Sequence, residues 1–216
     1  MLCLLPDMSE PGYTCGEMMK DFNLVVVGIG GQGVLTLANI VAEAAMKEGM
    51  DVKTSELHGL AQRGGPIPCH VRFGKKIYSS LVMAGQADLV ISLEPLEALR
   101  AAYYGSKEKR TVFVFDTWKI IPSSILTQKE TYPSIKEIKS SLKKFSSRAV
   151  ALDASEFVKK NTESVVSTNV YLLGYCVGKK FIKLKKSSIV EGIKKVIPEK
   201  YFEMNKRIFE LGVGRR

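Results

Sequence analysis

The stretch "NLVVVGIGGQGVLTLANIVAEAA", residues 23–45, decides the fold class. It joins a short β-branched run to a glycine turn and then to a segment with helical spacing of its apolar residues. "DVKTSE" (51–56) follows as a second strand. A strand, a glycine turn, a helix and a second strand in this order predict a Rossmann-like α/β layout.

The remaining segments extend this layout into a three-layer α/β fold with a mostly parallel sheet. "CHVRFGKKIYSS" (69–80) alternates in polarity around Gly74, which predicts an antiparallel hairpin. Only helical patterns follow Asp153, so a helical C-terminal piece is expected. We expect an N-terminal extension over residues 1–21 and a single domain over residues 22–216. The other predicted elements are strands at 87–93, 111–116 and 148–153 and helices at 94–105 and 134–145.

The charge of the chain is concentrated in its C-terminal part. The formal net charge is +10, with −1 over residues 1–128 and +11 over residues 129–216. Such a surface favours an acidic partner. The most basic run, "KKFIKLKK" (179–186), has too few stacking aromatic residues for a nucleic-acid site, which speaks against that class of partner.

The sequence predicts a cytoplasmic protein without a metal site. No apolar run reaches the roughly 18 residues that span a bilayer, and the N-terminus is a poor signal peptide. The four cysteines (Cys3, Cys15, Cys69 and Cys176) contain no C-x-x-C pair. Their spacing fits neither zinc nor an iron–sulfur cluster, so we expect reduced thiols.

The glycine turn contains the spacing of a dinucleotide-binding fingerprint. Gly28, Gly30 and Gly33 match G-x-G-x-x-G, Gly31 adds a further glycine, and Glu56 ends the second strand where a ribose-binding acid would lie. The side chain of Gln32 is expected to project into the mouth of the turn. Two readings stay open: an anion site at a helix N-terminus, and a tight crossover without a ligand.

A second candidate lies in the loop after the second strand. "TSELHGLAQRGGPIPCHVRFG" (54–74) contains His58, Gln62 and Arg63, and Gly64 and Gly65 follow the arginine. A guanidinium beside glycines suits a phosphate or a carboxylate, although a local salt bridge would also explain Arg63. Loops that leave the carboxyl ends of parallel strands share one edge of the sheet. We therefore expect this loop and the glycine turn to form one anion-binding site. Arg63→Ala should weaken the binding of the anion.

Several of these motifs together resemble one known family. "GIGGQGVLTLANIVAEAA", "KTSELHGLAQRGGPIPCHVRFG", "ADLVISLEPLEALRA", "NVYLLG" and "NKRIFELG" occur in order over about residues 22–212. They are similar to the gamma-type domain of 2-oxoacid:ferredoxin oxidoreductases, and within that family to the small subunits of the indolepyruvate type.

The resemblance implies a role as one subunit of a larger enzyme. Such enzymes decarboxylate a 2-oxo acid on thiamine diphosphate with Mg²⁺, pass electrons through iron–sulfur clusters to ferredoxin, and transfer the acyl group to coenzyme A. It implies that these cofactors belong to a large partner subunit, that this chain has no catalytic residue of its own, and that it contacts coenzyme A or the partner. A homodimer of the isolated chain stays open. Two other classes also remain: an NAD(P)-dependent oxidoreductase, from the fingerprint and Glu56, and a basic nucleic-acid-binding module, from charge alone.

Overall fold

A six-stranded sheet forms the middle layer of the protein. The computed structural model describes residues 21–57, 65–121, 131–162 and 164–215. The strand order is β2-β3-β1-β4-β5-β6, and β3 alone runs opposite to the other five strands. The strands are β1 (Phe22–Ile29), β2 (Asp51–Glu56), β3 (Pro66–Gly74), β4 (Leu89–Ser92), β5 (Val112–Asp116) and β6 (Arg148–Leu152).

Helices cover both faces of the sheet, as the predicted three-layer class requires. Alternate residues of the central strand β1 enter two different cores: Leu24 and Val26 on one face, Val25 and Val27 on the other. The first core includes residues of α1, α4, α5, α6 and α7, and the second includes residues of α2 and α3. These helices are α1 (Val34–Lys47), α2 (Pro95–Arg100), α3 (Ile135–Leu142), α4 (Ala154–Thr162), α5 (Thr168–Gly178), α6 (Lys186–Val196) and α7 (Phe202–Val213). Short 3₁₀ turns cover Ala101–Tyr104 and Glu199–Tyr201.

The sheet contains an antiparallel pair, but the hairpin predicted at 69–80 is wrong. β3 pairs with β1 on one side and with β2 on the other, and no strand follows Gly74 before β4. Residues 75–88 instead form an irregular segment that buries Ile77 and Val82. Polar side chains hold this segment: the Ile77 amide donates to Asp51 (2.7 Å) and the Val82 amide donates to His70 (3.0 Å).

The topology brings five strand ends and several helix ends to one edge. β1, β2, β4, β5 and β6 point the same way, so their carboxyl ends share what we call the carboxyl edge, opposite the amino edge. The helices that follow these strands begin there. In the described part of the chain no helix is long and apolar enough to cross a membrane.

Candidate functional site

The glycine turn lies at the carboxyl edge, between β1 and α1. Gly31 and Gly33 have φ angles of +99° and +80°, which residues with a side chain rarely adopt. The Gln32 amide donates to the Ile29 carbonyl (3.1 Å) and closes the turn. The Gly30 amide donates to the Gly65 carbonyl (3.2 Å), so the end of the 57–65 loop lies against the turn.

The structure brings together six of the ten residues singled out from the sequence. Gly28, Gly30, Gly31, Gln32 and Gly33 form the turn, and Gly65 contacts it. The other four, His58, Gln62, Arg63 and Gly64, lie outside the described residues.

Gln32 ties two strands together, and this differs from the expected projection into the mouth of the turn. Its Oε1 accepts from the Ile29 amide (2.7 Å), and its Nε2 donates to the Leu93 carbonyl (2.9 Å). The half-buried side chain therefore closes the gap between the ends of β1 and β4. A dinucleotide in a Rossmann fold would place its pyrophosphate near this gap, where backbone amides must be free.

Glu56 is far from the position of a ribose-binding acid. β3 lies between β1 and β2, so the end of β2 is two strand spacings, roughly 10 Å, from the glycine turn. A ribose-binding acid requires the second strand to lie directly beside the first. The order of the strands therefore removes the second feature that favoured an NAD(P) site.

The amino-terminal ends of α1, α5 and α7 converge beside the glycine turn. Asn169, in the first turn of α5, donates to the Gly33 carbonyl (2.9 Å), which joins α5 to the start of α1. A cavity of about 570 Å³ opens between these helix ends. Its lining comes from the glycine turn, α1, α5, the end of α6 and the start of α7: Gly31, Gly33, Thr36, Ser164, Val166, Asn169, Val196, Ile197, Pro198, Tyr201, Met204 and Asn205.

The three converging helix ends lack side-chain caps. The N-cap residues Gly33, Ser167 and Tyr201 make no capping hydrogen bond from a side chain. Ser167 is the residue type that normally caps a helix, but its buried Oγ has no hydrogen-bond partner among the described residues. The first turn of α1 has neither a side-chain cap nor an acidic residue, so its amides carry partial positive charge and favour an anion. The other two ends are partly satisfied, because the Val170 amide of α5 donates to Asn169 Oδ1 (2.8 Å) and α7 has Glu203 in its first turn.

Two buried carboxylates at the same edge cap other helices, and the sequence analysis did not identify them. Glu94 accepts from the Leu96 amide (2.7 Å) and the Glu97 amide (3.0 Å) at the start of α2. It also accepts a short hydrogen bond from the Tyr132 hydroxyl. Burial, followed by the hydrogen bond and charge of Glu94, raises the pKa of Tyr132. The signal was present in the sequence, because an acidic residue directly follows a buried strand in "ISLE" (91–94).

Asp116 is the second of these carboxylates. It ends β5, is fully buried, and accepts from the Ala154 and Ser155 amides (2.9 and 3.2 Å) at the start of α4. Burial raises its pKa, and hydrogen bonds from Ser155 partly oppose that rise. Ser155 Oγ and Thr168 Oγ1 lie 3.1 Å apart. Both residues line a smaller cleft of about 120 Å³ beside Gln32. Acids therefore cap α2 and α4, whereas the first turns of α1 and α5, at the larger cavity, contain no acidic residue.

The polar side chains of the 69–74 segment stabilise the fold and are not part of the site. Arg72 donates to Asn23 (2.8 Å) and to the Ser79 carbonyl (2.9 Å), and its guanidinium lies 3.8 Å from Asp21. These contacts hold the chain near the amino edge. His70 is buried beside Tyr104, and burial lowers its pKa.

The two cysteines in the described residues are poor metal ligands. Cys69 and Cys176 are free, buried thiols. Burial raises the pKa of Cys69 to about 12 and also raises the pKa of Cys176, which disfavours the thiolate that metals bind. No three His, Cys, Asp or Glu side chains in the described part of the chain are grouped to hold a metal ion.

Comparisons with known proteins agree with this architecture. The family model described as pyruvate ferredoxin/flavodoxin oxidoreductase matches residues 23–214. The indolepyruvate oxidoreductase subunit IorB of Archaeoglobus fulgidus is 40% identical over 193 residues, which cover 89% of this chain and 94% of that protein.

Solved structures of low sequence identity share the fold. The pyruvate oxidoreductase subunit PORC of Thermotoga maritima superposes with a TM-score of 0.65 at 20% identity, over 90% of this chain and 96% of that one. The 2-oxoglutarate:ferredoxin oxidoreductase of Magnetococcus marinus, with 2-oxoglutarate, coenzyme A and succinyl-CoA bound, matches with a TM-score of 0.64 at 20% identity, over 89% of this chain and 30% of its longer chain. The chain therefore belongs to the pyruvate ferredoxin/flavodoxin oxidoreductase family.

Proposed function

We propose that this chain is the small subunit of a cytoplasmic 2-oxoacid:ferredoxin oxidoreductase that acts on an arylpyruvate such as indolepyruvate. The 40% identity to an indolepyruvate oxidoreductase subunit over nearly the full length of both chains supports the substrate class. The complex would decarboxylate the 2-oxo acid oxidatively, form an acyl-CoA and reduce ferredoxin. Residues 22–216 act as one domain in this proposal.

The cofactors of the complex belong to the large partner subunit in this proposal. Thiamine diphosphate, Mg²⁺ and iron–sulfur clusters would supply the decarboxylation and the electron path. The two described cysteines, Cys69 and Cys176, lie in the apolar core with raised pKa values, so they do not fit a cluster. The small subunit then contributes binding and orientation but no catalytic group.

The carboxyl edge is the part of the chain that binds an anion. Its ligand would be a phosphate of coenzyme A, or a carboxylate of the partner subunit. The observation that carries this assignment is the uncapped amino-terminal end of α1, which lies with the starts of α5 and α7 and the orphaned Ser167 hydroxyl around one cavity. In this proposal, residues 58–65, which include His58, Gln62 and Arg63, also contribute to the anion-binding site.

Thr36 allows a test that separates binding from folding. It lies in the first turn of α1 and lines the cavity. Thr36→Glu adds an acid where the helix dipole favours one, so the fold should keep its stability, but the new charge should repel an anionic ligand. Thr36→Gln has nearly the same size without the charge and serves as the matched control.

The measurement is the KM for coenzyme A in the complex reconstituted with its large subunit. We expect Thr36→Glu to raise this KM by about tenfold, which corresponds to about 1.4 kcal/mol, and Thr36→Gln to change it little. Subunit affinity, measured by titration of the same variants, distinguishes the two ligands. If the Glu variant weakens assembly and not the KM, the edge binds the partner. If both quantities stay at the wild-type value, the cavity has no anionic ligand.

A further inference from the structure

The amino edge of the sheet carries a second charged surface, far from the candidate site. We call this surface the basic edge, and it consists of Arg110, Lys143, Lys144, Phe145, Arg148, Lys179, Lys180 and Arg215. Arg110 precedes β5 and Arg148 begins β6, so they lie on adjacent strands, and Ser147 donates to the Arg110 carbonyl (2.9 Å). The lysines and Arg215 follow the ends of α3, α5 and α7.

Aromatic rings hold several of these cations in place. The Arg148 guanidinium lies 5.5 Å from the centre of the Phe181 ring, and Lys179 lies 5.6 Å from that of Tyr175. The two rings are themselves in edge contact at 6.2 Å. Such contacts fix the direction of long side chains that would otherwise move freely.

The basic edge has no counterion within the part of the chain that the structure describes. Neither Arg110 nor Arg148, nor Lys179, Lys180 or Arg215, forms an ion pair with any residue in the ranges 21–57, 65–121, 131–162 and 164–215. In contrast, Lys47, Lys186 and Lys195 all pair with glutamates. The positive charge of the basic edge is therefore available to a partner.

Two of the cations occupy backbone positions that favour glycine. Arg110 has φ +62° and Lys180 has φ +56°. No other non-glycine residue in the described part of the chain has a positive φ. Lys180 follows α5, where the Phe181 amide reaches back to the Cys176 carbonyl (2.8 Å), and glycine is the usual residue at such a helix end. Helix dipoles explain cations after α5 and α7, but they do not explain Arg110 or Arg148. Each of these cations therefore has its charge at a backbone position that costs some conformational strain.

Phe145 adds an exposed apolar side chain to this surface. It follows Lys143 and Lys144, and 44% of it is exposed. A mainly charged surface with few exposed aromatic residues fits a small, reversible protein interface better than an obligate one, which would be more apolar. The rings of Phe181 and Tyr175 lie under cations, so they are not free to stack on bases.

We propose that the basic edge docks a small acidic protein, reversibly and through charge. The test uses oxidised ferredoxin as the probe, since ferredoxins are small and acidic; this choice, but not the surface itself, rests on the proposed function. Binding to the full chain is measured at about 0.05 and about 0.2 M salt, and a short single-stranded DNA is tested in parallel.

The variant Arg110→Gly/Arg148→Gln/Lys180→Gly removes three charges and relieves both positive-φ positions. Its matched control, Lys53→Gln/Lys136→Gln/Lys194→Gln, removes three exposed lysines on β2, α3 and α6 that form no ion pair with another described residue. We expect the first variant to melt at least as high as wild type and to bind ferredoxin about tenfold more weakly at low salt, or about 1.4 kcal/mol. The control should bind like wild type, and wild-type affinity should fall as salt rises.

Three results would overturn the proposal. The first is wild-type affinity for ferredoxin that does not depend on salt. The second is an equal loss in both variants, which would show a general effect of net charge. The third is tighter binding of the DNA than of ferredoxin with the same dependence on Arg110, Arg148 and Lys180, which would identify a nucleic-acid surface. The basic-edge variant should keep the wild-type KM for coenzyme A in the reconstituted complex. This result separates a loss of ferredoxin binding from a defect at the carboxyl edge.

Discussion

At the scale of single residues, Gly33 and Asn169 determine how α1 and α5 meet at the cavity. Asn169 donates to the Gly33 carbonyl, and its Oδ1 accepts from the Val170 amide (2.8 Å). A Cβ atom on Gly33 would lie 2.5 Å from Asn169 Nδ2. Gly33 therefore satisfies two requirements, a positive φ and a close neighbour, whereas Gly31 has the positive φ but open space around it.

This difference predicts unequal effects of two alanine substitutions. Gly31→Ala and Gly33→Ala both place a side chain at positive φ, which costs about 1–2 kcal/mol. Gly33→Ala also disrupts the bond from Asn169, so it should cost about 1 kcal/mol more. Urea unfolding of the two variants measures the difference. Equal losses would show that the Asn169 contact contributes nothing to stability.

His70 predicts a dependence of stability on pH. Its Nδ1 accepts from the Val82 amide, and burial lowers its pKa below the usual 6.5. The fold therefore favours the neutral ring, so this contribution is complete above pH 6.5 and is lost as the pH falls through the lowered pKa.

The expected slope is at most about 1.4 kcal/mol per pH unit for one proton. It is measured as the free energy of unfolding from pH 8 to pH 5. His70→Asn keeps an acceptor near the Val82 amide but does not titrate, so it should lose this component of the slope. A variant with the same slope as wild type would assign the pH dependence to other groups.

At the scale of elements, glycines allow α5 and α7 to pack with their backbones in contact. "NVYLLGYCVG" (169–178) and "EMNKRIFELG" (203–212) predict packed helices in which glycine permits close approach, and the structure confirms this. A Cβ on Gly174 would collide with the Phe209 carbonyl, and one on Gly212 would collide with the Tyr171 carbonyl. This packing holds the starts of α5 and α7 beside the same cavity.

Gly174→Ala should therefore separate the two helices. Forcing a methyl group into this contact is expected to cost about 1–3 kcal/mol or more. Gly214→Ala is the control, because its Cβ would meet its nearest atom at an ordinary 3.6 Å, and its effect should lie within about 0.5 kcal/mol. Thermal melting of both variants gives the comparison, and a neutral Gly174→Ala would mean that the helices can shift apart freely.

The elements β1, α1 and β2 were predictable, and the strand partners of β3 were not. β1, α1 and β2 follow from periodicity and turn residues, with β2 at the predicted bounds 51–56. β3 alternates as expected, but both of its partners, β1 and β2, come before it in the chain and lie on either side of it. Alternation reports which face a side chain occupies, not which strand lies next to it.

At the scale of the whole molecule, the two edges of the sheet offer two different candidate surfaces. The carboxyl edge offers helix amino-terminal ends and the buried acids Glu94 and Asp116, and the amino edge offers exposed cations. In the proposed complex, the chemistry takes place on another subunit.

The isolated chain should accordingly be colourless and inactive. Activity with an arylpyruvate, coenzyme A and ferredoxin should appear only after the large subunit is added, because that subunit would bring the clusters and the thiamine cofactor. The measurements are the absorption spectrum of the pure, tag-free chain and an assay before and after reconstitution. An iron–sulfur absorption band in the pure chain would contradict the proposal.

Apart from the hairpin at 69–80, the sequence by itself determined the order of the elements, the α/β class, the glycine turn and the family, because these depend on local periodicity, turn chemistry and ordered motifs. Only the tertiary structure decided what the turn can do. Strand order set Glu56 apart from it, and Gln32 closed the gap in which a dinucleotide would bind. The cavity, too, depends on contacts between residues as distant in the chain as Gly33 and Asn169. Such contacts follow from how packed layers meet, which no local pattern of residues encodes.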